Sequence, residues 1–329
     1  MQRIPASLPG RLLRAVALVL LSTLTCGAFA DAAPGGPVRI VVNFPAGGAV
    51  DVAARLIAAP LGEALHQPVI VENRSGANGN VGAEFVAKAN PDGHTLLMSA
   101  GGVFAVNPAL YRNMPFDPEK DLAPVASVMR VSLFLVGKKT LPAANARAFI
   151  SYVRANPGKL SYASAGAGSL PHLAGEMFNI AAGSSSLHVP YRGAAPALAD
   201  LLGGQVDYMF DPGISLAQVR AGKLKLLAVA DLHRSALFPD VPTLAESGLD
   251  KFEVDSWYGL YAPAGVPPEL MARINREINR IVVTPNVRQG LEALGGSPMP
   301  MSPAELQDKA RQDAKRFGAL IREKSIRVD

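Results

Sequence analysis

Apolar, β-branched runs alternate with segments of helical period along most of this 329-residue chain. Val38–Val42, Val69–Val71, Thr95–Met98, Val131–Val136, Leu160–Ala163, Ser186–Val189, Val206–Phe210 and Leu224–Ala230 read as strands. Ala53–Leu65, Val81–Ala89, Ala146–Ala155, Leu170–Ala181, Ala194–Leu202 and Ser215–Ala221 repeat apolar residues three and four apart and read as helices. Such alternation predicts α/β layers with mainly parallel sheets. Gly203-Gly204 and Gly222 stand where helix C-caps are expected. Beyond the alternation, Phe252–Ala262 reads as an extended return segment. Pro263, Gly265, Pro267 and Pro268 follow it, and then long C-terminal helices.

Two of the strand ends run into glycine-rich turns. Phe44-Pro45-Ala46-Gly47-Gly48-Ala49-Val50-Asp51 follows the first strand and opens a helix that reaches Leu65. A helix start approached through glycines presents backbone N–H groups without partners and a partial positive charge, which suits an anion. Taken alone, the turn reads more simply as an ordinary strand-to-helix connection with Asp51 near the cap. Ser164-Ala165-Gly166-Ala167-Gly168-Ser169 repeats the same strand–loop–helix logic later in the chain. The hydroxyls of Ser164 and Ser169 add neutral donors there, and Ser169 also stands at an N-cap position. Gly76, Gly79 and Gly82 form G-x-x-G-x-x-G, which is neither the dinucleotide nor the P-loop spacing. They are expected to let a loop and a helix pack closely. Asn78 between them either satisfies local backbone or faces a cleft.

The first thirty residues change the reading of composition. Arg3, Arg11 and Arg14 form a basic leader, Ala15 to Ala30 is mostly apolar, and Ala28-Phe29-Ala30 has the small-x-small pattern of a cleaved signal peptide. Thr25 precedes Cys26 where a lipidation signal favours glycine or alanine, so cleavage after Ala30 is expected, leaving no cysteine. The leader holds three of the 32 basic residues and no acid, which leaves 29 basic against 27 acidic residues, a balance of +2. Basic residues are scattered without interleaved aromatics, so no nucleic-acid footprint is present. A chain of this length supports two domains of ordinary size.

In their order, the Phe44–Asp51 turn, Val71-Glu72-Asn73-Arg74-Ser75-Gly76-Ala77-Asn78-Gly79-Asn80-Val81-Gly82 and Pro91-Asp92-Gly93-His94-Thr95-Leu96-Leu97 make a recognisable series. Ser164-Ala165-Gly166-Ala167-Gly168-Ser169-Leu170-Pro171-His172-Leu173-Ala174-Gly175-Glu176 and Pro190-Tyr191-Arg192-Gly193 continue it. Together they closely resemble the Bug family, the periplasmic solute-binding receptors of tripartite tricarboxylate transport, from about Val38 to the C-terminus. The resemblance implies a type II periplasmic-binding-protein fold, with two α/β domains around a ligand cleft and a two-strand hinge. Residues 31–130 with 251–329 would form one domain and residues 131–250 the other. It implies a monomeric receptor, without cofactor or metal, that captures a small carboxylate-bearing acid and docks when closed on a membrane permease. On the first loop it implicates Phe44, Ala46, Gly47 and Gly48, holding one carboxylate through backbone groups and ordered water. Elsewhere it implicates Asn78, Ala100, Val103, Ser164, Ala165, Gly168, Ser169, His172, Tyr191 and Asp211. Two of these have plainer readings: His172 as a packing residue, and Asp211 as a turn residue before Pro212.

One departure from the family pattern bears on the ligand. Where relatives often carry threonines and a histidine, this chain has Ala100-Gly101-Gly102-Val103-Phe104. Lost hydroxyls with retained bulk suggest an acid with one carboxylate and an aromatic or aliphatic body. Asp211 itself would repel a carboxylate and accept a bond from an amine, hydroxyl or water. The same chemistry also serves a receptor that presents its closed form to a membrane sensor kinase. A secreted hydrolase is the third reading, but no G-x-S-x-G elbow surrounds any serine, and the five histidines show no H-E-x-x-H.

Overall fold

The computed structural model describes residues 36–323 and Ile326; the expected leader and its cleavage point lie outside the described residues. The chain opens with β1 (Val38–Val42), α1 (Ala49–Leu65), β2 (Val69–Asn73), a short 3₁₀ turn at Ala77–Gly79, and α2 (Asn80–Ala87). β3 (Thr95–Ala100), the single turns α3 (Gly102–Ala105) and α4 (Asn107–Leu110), and β4 (Leu122–Ser132) follow. Leu133 then leads into a second set: β5 (Phe134–Lys138), α5 (Ala146–Ala155), β6 (Ser161–Ser164), α6 (Leu170–Ala182) and β7 (Leu187–Pro190). That set ends with α7 (Ala194–Leu202), β8 (Tyr208–Asp211), α8 (Leu216–Arg220) and β9 (Leu224–Val229). The chain returns through β10 (Asp255–Pro263), α9 (Pro268–Ile281), α10 (Pro285–Ala293), β11 (Gly296–Pro298) and α11 (Pro303–Glu323).

Two sheets result. The first has the order β11-β4-β10-β3-β1-β2 and the second β7-β6-β8-β5-β9. The expectation of mainly parallel sheets needs correcting. β1 runs parallel to β2 and β3, and β6 parallel to β7 and β8. β10, however, is antiparallel to β3 and β4, β11 to β4, and β5 to β8 and β9. The cause is topological: strands that leave or re-enter a sheet at the junction arrive from the opposite direction to the βαβ strands.

The expected strand at Val131–Val136 straddles that junction, since β4 ends at Ser132 and β5 starts at Phe134. Ala230 N–H donates to Leu133 C=O at 2.8 Å, and Val254 N–H to Ala230 C=O at 2.9 Å, so the crossing segments lie side by side. Most of β4 has no clear strand signal, because Ala-Pro-Val-Ala-Ser breaks the apolar run. Pro124 is tolerated where the β4–β10 register shifts between Leu260 and Tyr261.

The G-x-x-G-x-x-G segment is a packing device. A methyl group on Gly82 would lie 2.7 Å from Arg74 C=O and 2.9 Å from Asn43 Cα, and one on Gly79 would collide with the Asn43 amide. Asn43, fully buried, ties the same segment by donating to Gly79 C=O at 3.1 Å and Ser99 Oγ at 3.0 Å.

Candidate functional site

A cavity of about 60 Å³ lies at the carboxyl ends of strands from both sheets, reached by Phe44 after β1, Ala100 on β3, Ala165 after β6 and Pro212 after β8. Open α/β sheets bind ligands at such strand ends. Three helices start there. Gly48, Ala49 and Val50 open α1, Ser169, Leu170 and Pro171 open α6, and Ala194 and Ala195 open α7; all line the cavity. The first residues of a helix have no carbonyl one turn back to receive their N–H groups. No side chain caps α1 or α7, whose N-caps are Gly48 and Gly193. Ala49, Val50, Leu170, Ala194 and Ala195 therefore bring amides without a carbonyl one turn back, and three helix starts of partial positive charge, to the border of one site.

Side chains on these turns keep that charge in place. Asp51 Oδ2 accepts Gly47 N–H at 2.9 Å, and Arg55 Nε donates to both its oxygens at 3.0 and 3.1 Å. Asn73 Nδ2 adds a bond to Asp51 Oδ1 at 2.9 Å and another to Phe44 C=O at 3.0 Å. Burial alone would raise the Asp51 pKa; Arg55, the Gly47 amide and Asn73 together hold it below the usual carboxylate value. The acid so close to the anion site is thus spent on fixing the turn.

The second loop is fastened from below. Gly168 N–H donates to His172 Nδ1 at 3.0 Å, and Ser169 Oγ accepts His172 N–H at 3.4 Å. Ser164 Oγ lies 2.7 Å from His188 Nε2 and 3.0 Å from Gly166 C=O. The His188 ring stacks on His172, centroids 3.8 Å apart, and on Tyr162 at 4.9 Å. Burial lowers the pKa of both imidazoles, and with His172 beside it that of His188 falls to about 3. The Ser164–His188 pair has the separation of a nucleophile and its base, and sequence reasoning missed it. Ser164 is nevertheless fully buried and does not line the cavity, so the pair anchors the loop.

Of the residues expected at the site, Phe44, Gly48, Asn78, Ala100, Ala165 and Ser169 line the cavity. Ala46, Gly47, Val103, Ser164, Gly168, His172, Tyr191 and Asp211 do not. Ala46 and Gly47 are exposed at the tip of the first turn. Val103 is buried in the core, next to Phe104, whose ring stacks on Tyr261 with centroids 3.8 Å apart. Tyr191 donates its hydroxyl to Asp200 at 2.6 Å. Asn78 Nδ2 donates to Asn107 Oδ1 at 2.7 Å from a left-handed backbone conformation, so it both borders the cavity and braces its own loop.

Leu133, Ala194, Ala195, Pro212, Ser256 and Tyr258 line the cavity unforeseen. Gly193 before an apolar helix was the available signal for Ala194 and Ala195. Leu133, Ser256 and Tyr258 come from the junction, where adjacency is set by strand pairing and leaves no local trace. Among the described residues, no lysine, arginine or histidine lines the cavity.

Asp211, beside Pro212, is fully buried. Its Oδ2 accepts Gly213 N–H at 2.8 Å, Ser215 N–H at 3.0 Å and the Ser215 hydroxyl at 2.7 Å. Its Oδ1 has no partner among the described residues. Burial raises its pKa while the three donors pull against that rise. Burial, and then the charge of Asp211, raise the pKa of the Tyr258 phenol.

Comparison with known proteins identifies the family and the fold. Residues 53–326 match the model of the tripartite tricarboxylate transporter family receptor. Protein BugT of Bordetella pertussis is 36% identical over 302 residues, covering 91% of this chain and 92% of that protein. R. palustris Rpa4515, solved with adipate, superposes with a TM-score of 0.87 at 34% identity, over 89% of this chain and 99% of that one. MatC from Rhodopseudomonas palustris, solved with bound malate, gives a TM-score of 0.82 at 36% identity, over 88% and 99%. The architecture is that of a periplasmic binding protein, and the chain belongs to the tripartite tricarboxylate transporter receptor family, a family of solute-binding receptors.

Proposed function

We propose that this protein captures a small carboxylate-bearing organic acid in the cavity and delivers it to a membrane permease of the tripartite tricarboxylate type. The observation that carries the reading is the meeting of three helix starts at one cavity that no cationic side chain among the described residues lines. Preorganised amides bind a carboxylate without the desolvation cost of burying a lysine or arginine. The residues lining the cavity come from both sheets, so a bound acid favours the closed arrangement over an open one. Residues 31–130 with 251–329 and residues 131–250 are the two bodies that move, with the segments around Leu133 and Ala230–Val254 as the hinge. The leader directs the chain to the periplasm, where it acts as a monomer.

The test is native mass spectrometry of mature protein expressed in a periplasm, followed by denaturation and identification of released small molecules. A released organic acid, with a thermal shift when it is added back, supports the reading. Release of nothing, with no shift across a broad carboxylate panel, would sink it. Pull-down against permease and sensor-kinase ectodomains then separates delivery from sensing.

A further inference from the structure

The two glycine-rich loops are fastened by one device. Gly47 N–H donates to Asp51 at 2.9 Å and Gly168 N–H to His172 at 3.0 Å, four residues on in each case. Asp51 and His172 are each the third residue of their helix, after the N-caps Gly48 and Ser169. A capping box carries glutamate or glutamine at that position, and its side chain reaches back to a free N–H in the same way. The two acceptors differ in charge. Asp51 is an anion beside an anion site, and Arg55, one turn on, donates to both its oxygens. One turn beyond His172 stands an acid, Glu176, so α6 has no counterpart of Arg55. Glu176 Oε1 lies 4.0 Å from His172 Nε2 and accepts the Tyr162 hydroxyl. The other faces of the ring meet His188, stacked at 3.8 Å, and Tyr162, with centroids 6.5 Å apart. Because Nδ1 accepts an N–H, it is bare, and the neutral ring keeps its one proton on Nε2. Burial of the imidazole works in the same direction.

We propose that His172 is a positioning residue whose neutral acceptor fastens the second loop without setting a negative charge beside the bound acid. Ser169 and Leu170, which line the cavity, are held between the two ends of the Gly168–His172 bond. An unpaired carboxylate at position 172 would fasten them equally well. It would also offset the partial positive charge with which the start of α6 attracts an anion. At α1 the same offset is cancelled by Arg55, and at α6 it is avoided by the choice of side chain. The inference rests on the carboxylate reading above and deepens it, since His172 acts on the acid only through the loop.

Calorimetric titration of the mature protein at neutral pH with hexanoate, succinate and adipate tests this, with the tightest binder of the three as probe. His172→Gln and His172→Glu have the same reach and differ in charge. His172→Gln is expected to bind the probe within about threefold of the unaltered protein, and His172→Glu roughly tenfold or more weakly. A residue that merely capped the helix would not tell the two apart, because a capping box accepts either. A His172→Glu protein that binds as tightly as His172→Gln overturns the inference, whether both keep or both lose affinity, and leaves the carboxylate reading standing. Nitrogen NMR of the His172 ring in the unaltered protein is a second readout that needs no variant to fold. Nδ1 bare and the proton on Nε2 are expected, and a proton on Nδ1 overturns the inference. Binding of none of these acids overturns the carboxylate reading, and this inference falls with it.

Discussion

Gly193, the N-cap of α7, lies so close to Pro45 of the first turn that a methyl group on it would sit 2.8 Å from Pro45 Cγ. The contact joins a loop of the second sheet to a loop of the first, at the mouth of the cavity. Gly193 also has φ +133°, a conformation that L side chains rarely adopt. Shape and backbone thus both require glycine where the two helix starts meet.

Gly193→Ala is therefore expected to weaken acid binding roughly tenfold, about 1.4 kcal/mol, by holding the loops apart. Pro45→Ala in the same chain removes Cγ and Cδ and leaves only Cβ, 3.6 Å from the new methyl. The double variant should regain affinity but not the stability lost to backbone strain. Titration with hexanoate, alongside thermal unfolding of the ligand-free proteins, separates the two effects. No recovery of affinity in the double variant would mean that the Pro45 contact does not govern closure.

Arg130 ties the junction. Its guanidinium reaches Asp231 at 2.7 Å, just past β9, and Asp255 at 3.0 Å, at the start of β10. Those two carboxylates are 4% and 9% exposed, whereas Arg130 is 32% exposed. Arg130→Gln leaves Asp231 with the Ser132 hydroxyl and the His233 N–H, and Asp255 with the more distant Lys309 and Arg316. Discounting for the solvent around Arg130, the loss should be about 2 kcal/mol. The pH dependence has a definite sign. Burial opposes ionisation of Asp231, but bonds from Arg130 and Ser132 win and lower its pKa. Its contribution is present above the unfolded carboxylate pKa of about 3.9 and is lost as pH falls through the lower folded value. In the variant the folded pKa moves up towards the unfolded value, so this acid-side loss should be smaller and the curve shallower. Urea midpoints at pH 7, 5, 4 and 3 check it, and parallel curves would refute the role assigned to Arg130.

The glycine-rich turns and their helices were legible in the sequence because strand, turn and helix signals are local. Leu170 to Ala182 and Ala194 to Leu202 emerged within a residue of their expected ends. Asp51 reads as a helix-start acid from its position and Arg55 pairs with it one turn on, but the Asn73 bond that also fixes it brings in a different strand. The junction was illegible for the same reason in stronger form. Val131–Val136 looks like one strand, because apolar continuity cannot reveal that the chain changes sheets at Leu133. Tyr258 reaches the cavity only because β10 inserts between β3 and β4. Val103 does not line the cavity, since composition predicts apolar bulk but not its placement on a short helical turn.

Gly82 offers a test of the packing role given to G-x-x-G-x-x-G. A backbone carbonyl at 2.7 Å and the Asn43 Cα at 2.9 Å cannot yield as a flexible side chain would. Gly82→Ala should destabilise the protein by about 1–3 kcal/mol. Gly47→Ala meets nothing within 4 Å and is strained only by its φ of +79°, so its cost should be smaller. Chemical denaturation of both variants decides the point, and equal costs would mean that backbone conformation, not crowding, explains Gly82.

The stacked histidines predict the course of stability in mild acid. Burial first, and His172 second, hold the folded His188 pKa at about 3, below the unfolded value of about 6.5. As pH falls from 6.5 towards 3, the unfolded chain takes up a proton that the folded chain refuses, so stability declines by up to about 1.4 kcal/mol per pH unit. Above 6.5 both states are neutral and the dependence vanishes. His172, also lowered by burial, acts in the same direction. His188→Gln keeps an amide nitrogen near Ser164 and removes the titration. Its urea midpoint should therefore fall less steeply than that of the unaltered protein between pH 6 and 4. Identical slopes would show that the proton is taken up elsewhere. A steeper slope would mean that His188 is protonated in the folded protein and that the ring pair is an ion held by Glu176, 4.0 Å from His172 Nε2.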